Sequence, residues 1–168
     1  MESGPDAVEQ EVITALRTLD NESESIGSDD PAWTRAVKDA IGKVGRNLGF
    51  KVYAAQSEFE ENGEWVFDLS WLEEQGDLVV DIPLVLESEW NPPGVLEDFQ
   101  KLLVSRAAHR VLVCWQPTPH ACDRCFDQLV SQIRRFRGTR EDDRYLLCCW
   151  IEDPEELRIQ VHVAGRGA

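Results

Sequence analysis

Glu87 and Glu89 close an apolar run, Leu78 to Trp90, that reads as a strand. Two carboxylates two residues apart on a strand share one face and can converge on a single cation. A third acid, Asp68, lies in the preceding strand-like segment, Glu64 to Leu72. With Asp68 opposite Glu87, the three acids make a magnesium-type oxygen cluster, of the kind that hydrolyses phosphodiesters. Charged side chains ending a Val/Leu/Ile strand need a reason, and a metal ion is one. The alternative is that Glu87 and Glu89 form the solvent face of an emerging strand.

Pairing geometry tests the cluster. In an antiparallel hairpin, Asp68 falls opposite Glu87 only if the connection is centred between Asp77 and Leu78. The turn signal Glu73-Glu74-Gln75-Gly76-Asp77 is centred earlier, and a tight turn there sets Asp68 against Ile82 or Pro83. Pro83 cannot donate to a ladder and Asp81 interrupts the apolar run, so a longer connection with pairing resuming near Pro83 is expected to restore the match.

Other constellations carry less. His120, Cys122 and Cys125 offer three zinc ligands, but a structural site takes four and no second Cys-x-x-Cys is present, which argues against zinc. There is no Ser or Cys in a nucleophile elbow and no Gly-rich phosphate loop, so acyl transfer and nucleotide-triphosphate chemistry are unsupported. Trp65, Trp71, Trp115 and Trp150 fall on predicted strands and read as core, whereas Trp90 stands beside the acids, where it could stack on a nucleotide. On a helical wheel Leu96, Phe99, Leu102 and Leu103 form the buried face, and Lys101 points largely away from it; an ion pair with Glu97 or Asp98 one turn earlier is open to it.

The elements that must position these residues follow from apolar spacing. Val8, Val12, Ala15, Leu16 and Leu19 predict a helix over 6–19, followed by a loop rich in Ser, Asp and Glu to Asp30. Asp30-Pro31 reads as a cap and first turn for a second helix with the stripe Trp33, Ala36, Val37, Ala40, Ile41, Val44 and Leu48, ended by Gly49. Strands are expected at Phe50 to Ala55, Glu64 to Leu72 and up to Trp90. Pro92-Pro93-Gly94 opens a helix from Val95 to about Arg106. Arg110 to Gln116 is a buried strand. Phe126, Leu129, Val130, Ile133 and Phe136 mark a last helix, and Tyr145 to Ile151 with Leu157 to Val163 a closing hairpin. The order α-α-β-β-β-α-β-α-β-β predicts an α/β fold with a mixed α+β sheet. Two segments are expected: residues 1–30, an N-terminal helix and acidic linker, and residues 31–168, a single domain.

The succession DLSW, PLVLESEW and DFQKLL, within Pro31 to Val163, resembles the PD-(D/E)xK nuclease superfamily, the restriction-endonuclease-like fold, as a divergent member. In that family an acid on the second strand and an acid-x-lysine on the third hold the metal and the attacking water. Asp68 and Glu87 match the two acids, and Glu89 stands where the lysine belongs. Some members tolerate a glutamate there or supply the lysine from the next helix, which nominates Lys101. The resemblance implies a nuclease-like core, Mg²⁺ or Mn²⁺ held by Asp68, Glu87 and Glu89, and hydrolysis of DNA or RNA with Lys101 in the catalytic set.

Composition bounds the reading. A length of 168 residues with 42% hydrophobic content suits one globular domain. No stretch approaches membrane-spanning length, and Met1 to Asp6 shows no basic-then-apolar leader. The odd set Cys114, Cys122, Cys125, Cys148 and Cys149 points to a reducing, cytoplasmic setting. A net charge of −15 opposes unassisted binding to nucleic acid, so a nuclease needs a local basic surface. Arg134, Arg135, Arg137 and Arg140 are the candidates, and the plain reading of them is a solvated helix end. The glutamate in the lysine position and the acidic charge give the alternative function, a catalytically inactive nuclease-fold module that binds a protein partner. Oligomeric state is open, a homodimer included.

Overall fold

The computed structural model describes residues 4–27 and 29–165; residues 1–3, Ser28 of the acidic linker and residues 166–168 lie outside the described residues. The chain divides into two compact units, Pro5–Leu86 and Glu87–Ala168. All six strands belong to one mixed sheet, in chain order β1 to β6.

The first unit opens with α1 (Ala7–Asn21), fixed by a reciprocal cap: Asp6 Oδ1 accepts from the Glu9 N–H and Glu9 Oε2 accepts from the Asp6 N–H, both at 2.9 Å. Val12, Ile13 and Leu16 are its buried face. The second helix, α2 (Asp30–Asn47), is capped one residue earlier than the sequence predicts, by Asp29, whose carboxylate accepts from the Ala32 N–H at 2.8 Å. Its buried face is Val37, Ile41, Gly42 and Gly45, while Leu48 is exposed. A Cβ on Gly42 would strike the Phe59 ring, and one on Gly45 the Trp71 indole. Glycine is tolerated inside this helix, at a cost of about 1 kcal/mol each relative to alanine, because two aromatic rings close directly onto its backbone.

Strand β1 (Lys51–Tyr53) pairs antiparallel with β2 (Leu69–Gln75), Val52 opposite Trp71. Strand β2 begins later than expected: Val66 has φ +66 and makes a kink between Trp65 and Phe67, so Asp68 sits at a bend immediately before Leu69. Strand β3 (Leu78–Glu89) spans both units, the part up to Leu86 belonging to the first.

The β2–β3 hairpin reaches its register by a route the sequence did not predict. Its connection is tight, with Gln75 opposite Leu78 and Glu74 opposite Val79. Gly76 at φ +62 takes the first loop position, where a two-residue hairpin turn of II′ type needs glycine. Two register shifts follow, between Glu74 and Glu73 and between Glu73 and Trp71, each leaving one extra residue on β3. Pro83 falls within the second shift, where its missing N–H costs no ladder bond. Beyond it the pairs are Trp71–Leu84, Ser70–Val85 and Leu69–Leu86. The centre of pairing has moved from between Gly76 and Asp77 to between Asp77 and Leu78.

The second unit contains the end of β3, a 3-10 turn at Pro92–Gly94, α3 (Val95–Leu103), β4 (His109–Gln116), α4 (Pro119–Arg135), β5 (Arg144–Ile151) and β6 (Glu156–Val163). Strands β4 and β5 are parallel and almost wholly buried, and β6 runs antiparallel to β5. Val95, Phe99, Leu102 and Leu103 are the buried face of α3, and Phe99 meets Tyr145 with ring centroids 5.8 Å apart. Thr118 caps α4 through the Ala121 N–H at 3.2 Å, with Pro119 in the first turn. Arg110 is buried on β4. Its Nη2 donates to Asp143 Oδ1 at 3.2 Å and to the Ser105 carbonyl at 3.1 Å, and its guanidinium lies 5.1 Å from the Tyr145 ring centroid. Among the described residues, no helix is long and apolar enough to cross a membrane.

Candidate functional site

The last residues of β3 and the first two turns of α3 carry the polar centre of the second unit. Strand alternation sends Glu87 to the same side as Glu89, and the turn Pro92–Gly94 folds α3 back at once. Glu87 is 1% exposed, a burial a carboxylate rarely bears without a cation or hydrogen-bond donors. Lys101 meets this need: its Nζ lies 2.8 Å from Glu87 Oε2 and 2.8 Å from Asp98 Oδ1. The helical wheel alone aimed Lys101 outward. It is half-exposed, but its four-carbon stem lets the ammonium reach back across the helix end to the strand.

Partial burial pulls the Lys101 pKa down. The hydrogen bonds to Asp98 and Glu87, with their charges, push it up more strongly, so the net shift is above the ordinary lysine value of 10.5. The ammonium is therefore charged at neutral pH. A group held in that state cannot take a proton from water, but it can stabilise negative charge on a phosphate.

Glu89 is engaged locally. Its Oε1 accepts from the Asn91 N–H at 2.7 Å and its Oε2 lies against Gly94, where a Cβ would collide with it. The carboxylate thus orders the turn that launches α3. Trp90 packs against Trp150, centroids 5.8 Å apart and ring planes tilted by 40°. Asp68, in the first unit, is half-buried at the bend before β2.

The four arginines follow the acids in sequence, at the end of α4 and just beyond it. Arg134 and Arg135 end α4 and Arg137 and Arg140 follow it; all four are exposed, and none makes an ion pair among the described residues. Burial, followed by the charge of Arg134, lowers the pKa of His162 on β6.

Glu87 and Glu89 carry hard oxygen donors of the kind a divalent cation takes, and Asp68 belongs to the other unit. Asp98 is the residue whose double role the sequence only half revealed: the (i, i+3) spacing to Lys101 was visible, but not that the same ammonium would bridge to β3. Compared with known families, with curated proteins and with solved structures, the chain matches none.

Proposed function

We propose that this chain is a metal-dependent phosphodiester hydrolase acting on DNA or RNA, built on a restriction-endonuclease-like core. The observation that carries the reading is the buried Glu87 carboxylate with the Lys101 ammonium 2.8 Å away. An acid and a lysine held together at a strand end is the pairing the nuclease resemblance calls for, with the lysine delivered from α3 in place of the residue at Glu89.

In this reading Asp68 and Glu87 would hold Mg²⁺ or Mn²⁺, which would supply Lewis-acid polarisation of the phosphate and a more acidic water. Lys101 contributes fixed positive charge towards the developing phosphorane. Asp98 is a positioning residue that keeps the ammonium turned to Glu87, and Glu89 braces the turn behind it. Arg134, Arg135, Arg137 and Arg140 offer unneutralised cations for the phosphate backbone on a chain that is otherwise strongly acidic. Five free cysteines fit a reducing, cytoplasmic location.

A second reading, a catalytically inactive module of the same fold that binds a protein partner, is favoured by the β2–β3 hairpin tip. Leu78, Val79 and Val80 are 69%, 43% and 46% exposed there, an apolar surface that a nuclease acting alone does not need. Calorimetry with Mn²⁺ on wild type and Glu87→Ala tests the first reading. Binding heat in wild type that disappears in the variant supports it, and equal heats in both remove Glu87 as a ligand.

A further inference from the structure

Strand β6 ends the sheet: it pairs with β5 on one side, and among the described residues no strand covers its other edge. The eight pairs from Arg144–Val163 to Ile151–Glu156 run without a bulge. Ala164, one residue further, donates its N–H to the Asp143 carbonyl at 2.9 Å, towards β5. By the alternation of an antiparallel ladder, the N–H and C=O of Leu157, Ile159, Val161 and Val163 therefore point away from β5. The side chains of the same four residues stand on one face of the sheet and are only half-buried. Arg158, Gln160 and His162 stand on the other face, where Arg158 meets Asp123 of α4 at 2.5 Å.

An open edge of this length is a template for another strand, and proteins blunt such edges with lysine, proline, a bulge or brevity. The opposite end of the sheet is protected in this way: β1 has three residues and carries Lys51. Strand β6 contains no lysine, proline or glycine and is not bulged. We propose that β6 pairs antiparallel with β6 of a second copy of this chain, about a two-fold axis at Ile159, so that the protein is a homodimer.

The strand is complementary to itself. Outward-pointing backbone groups can bond only to outward-pointing ones, so odd-numbered residues must oppose odd-numbered residues, which also keeps the apolar side chains on one face. Near the middle of the strand, two-fold registers centred on Ile159 and on Gln160 both satisfy this. Centring on Gln160 sets the Arg158 guanidinium, a donor-only cation, against His162, which becomes a cation on protonation. Centring on Ile159 sets Glu156 against His162 and Arg158 against Gln160, an acceptor facing a donor in each case. It also sets Leu157 against Val161 and Ile159 against its own copy. Charge and hydrogen bonding therefore select the Ile159 register.

In that register Leu157, Ile159 and Val161 of each copy exchange backbone hydrogen bonds with the other, and the half-buried apolar row continues across the axis. A pairing of like edges uses both of them, so the assembly closes at two copies. A contact one strand wide lies at the small end of specific interfaces, and the dimer dissociates on dilution. It does not depend on the carboxylates of β3 and α3 or on what they bind.

Sedimentation velocity of the reduced full chain from about 1 μM to about 1 mM, the range in which weak specific contacts dissociate, tests the pairing. The expected species has twice the chain mass at the upper end and gives way to monomer on dilution. Ile159→Lys places two ammonium groups opposite one another, and Ile159→Pro removes an outward N–H while sparing the β5 ladder; both are expected to stay monomeric. A covalent readout stands even if those variants fold poorly. Opposed Cα atoms of a hydrogen-bonded pair lie about 5.5 Å apart, within disulfide reach, so Ile159→Cys is expected to cross-link into a dimer on mild oxidation and Gln160→Cys is not. Wild type that is monomeric throughout, or that assembles beyond two copies, overturns the proposal. So does a dimer that survives in folded Ile159→Lys, or cross-linking of Gln160→Cys and not of Ile159→Cys.

Discussion

Lys101 Nζ lies 2.8 Å from Glu87 Oε2, joining an α3 side chain that is half-exposed to a β3 carboxylate that is almost wholly buried. The pair ties the end of a strand to the helix that follows it, and Asp98 shares the same ammonium at 2.8 Å. A buried carboxylate without that charge would carry a desolvation cost of several kcal/mol.

Replacing Lys101 by Met removes a charge-assisted hydrogen bond from a buried acid. The expected loss is about 1–3 kcal/mol of stability, with much of it recovered in Glu87→Gln/Lys101→Met, where the acid is neutral. Chemical denaturation of the four proteins of this double-mutant cycle measures the coupling; additive effects would mean that the pair contributes nothing.

The same pair fixes a pH dependence. The folded-state pKa of Lys101 is raised above 10.5, so its stabilisation is fully present below that value and is lost as pH climbs through the higher folded value. The stability difference between wild type and Lys101→Met should stay level from neutrality to 10.5 and shrink only above it. A difference that falls away already in the neutral range contradicts this assignment.

Asp143 accepts from the buried Arg110 guanidinium at 3.2 Å and from the Arg140 N–H at 2.8 Å. Asp143→Ala leaves a buried cation with less compensation and should cost about 3–5 kcal/mol. Arg110→Met/Asp143→Ala should be clearly more stable than Asp143→Ala alone. Thermal unfolding compares them, and equal stabilities of single and double variants would show that the charge is compensated elsewhere.

Gly45→Ala tests the close approach of α2 to Trp71. Alanine improves helix propensity by about 1 kcal/mol, yet its methyl group must displace a rigid, fully buried indole. Overpacking of this kind costs about 1–3 kcal/mol, so the substitution is expected to be neutral to destabilising, and less harmful beside Trp71→Phe. A clear rise in Tm for Gly45→Ala alone would mean that the two surfaces are not in contact.

Helix and strand types were legible where the apolar period was clean. The stripe of α2 located the helix to within a few residues, and Val111 to Cys114 and Leu146 to Cys149 read as buried strands because nothing polar interrupts them. The buried side of α2 was read less well, since Gly42 and Gly45 carry no hydrophobic signal and matter only because Phe59 and Trp71 press on them. The hairpin was misjudged for a related reason. A turn residue such as Gly76 is visible in sequence, but two bulges are set by how Pro83 and Asp81 fit a ladder, and that depends on the partner strand. The Lys101–Glu87 contact escaped the helical wheel because a wheel records where a Cβ points and not where a long side chain ends.

The proposed phosphodiester hydrolysis is tested most directly by cleavage of single- and double-stranded DNA and RNA in Mn²⁺. The account predicts cleavage by wild type that stops with a chelator, is abolished in Asp68→Ala and Glu87→Ala, and falls by about 10²-fold or more in Lys101→Met. Folded wild type that cleaves none of these substrates, or Asp68→Ala and Glu87→Ala proteins that cleave as well as wild type, would contradict it.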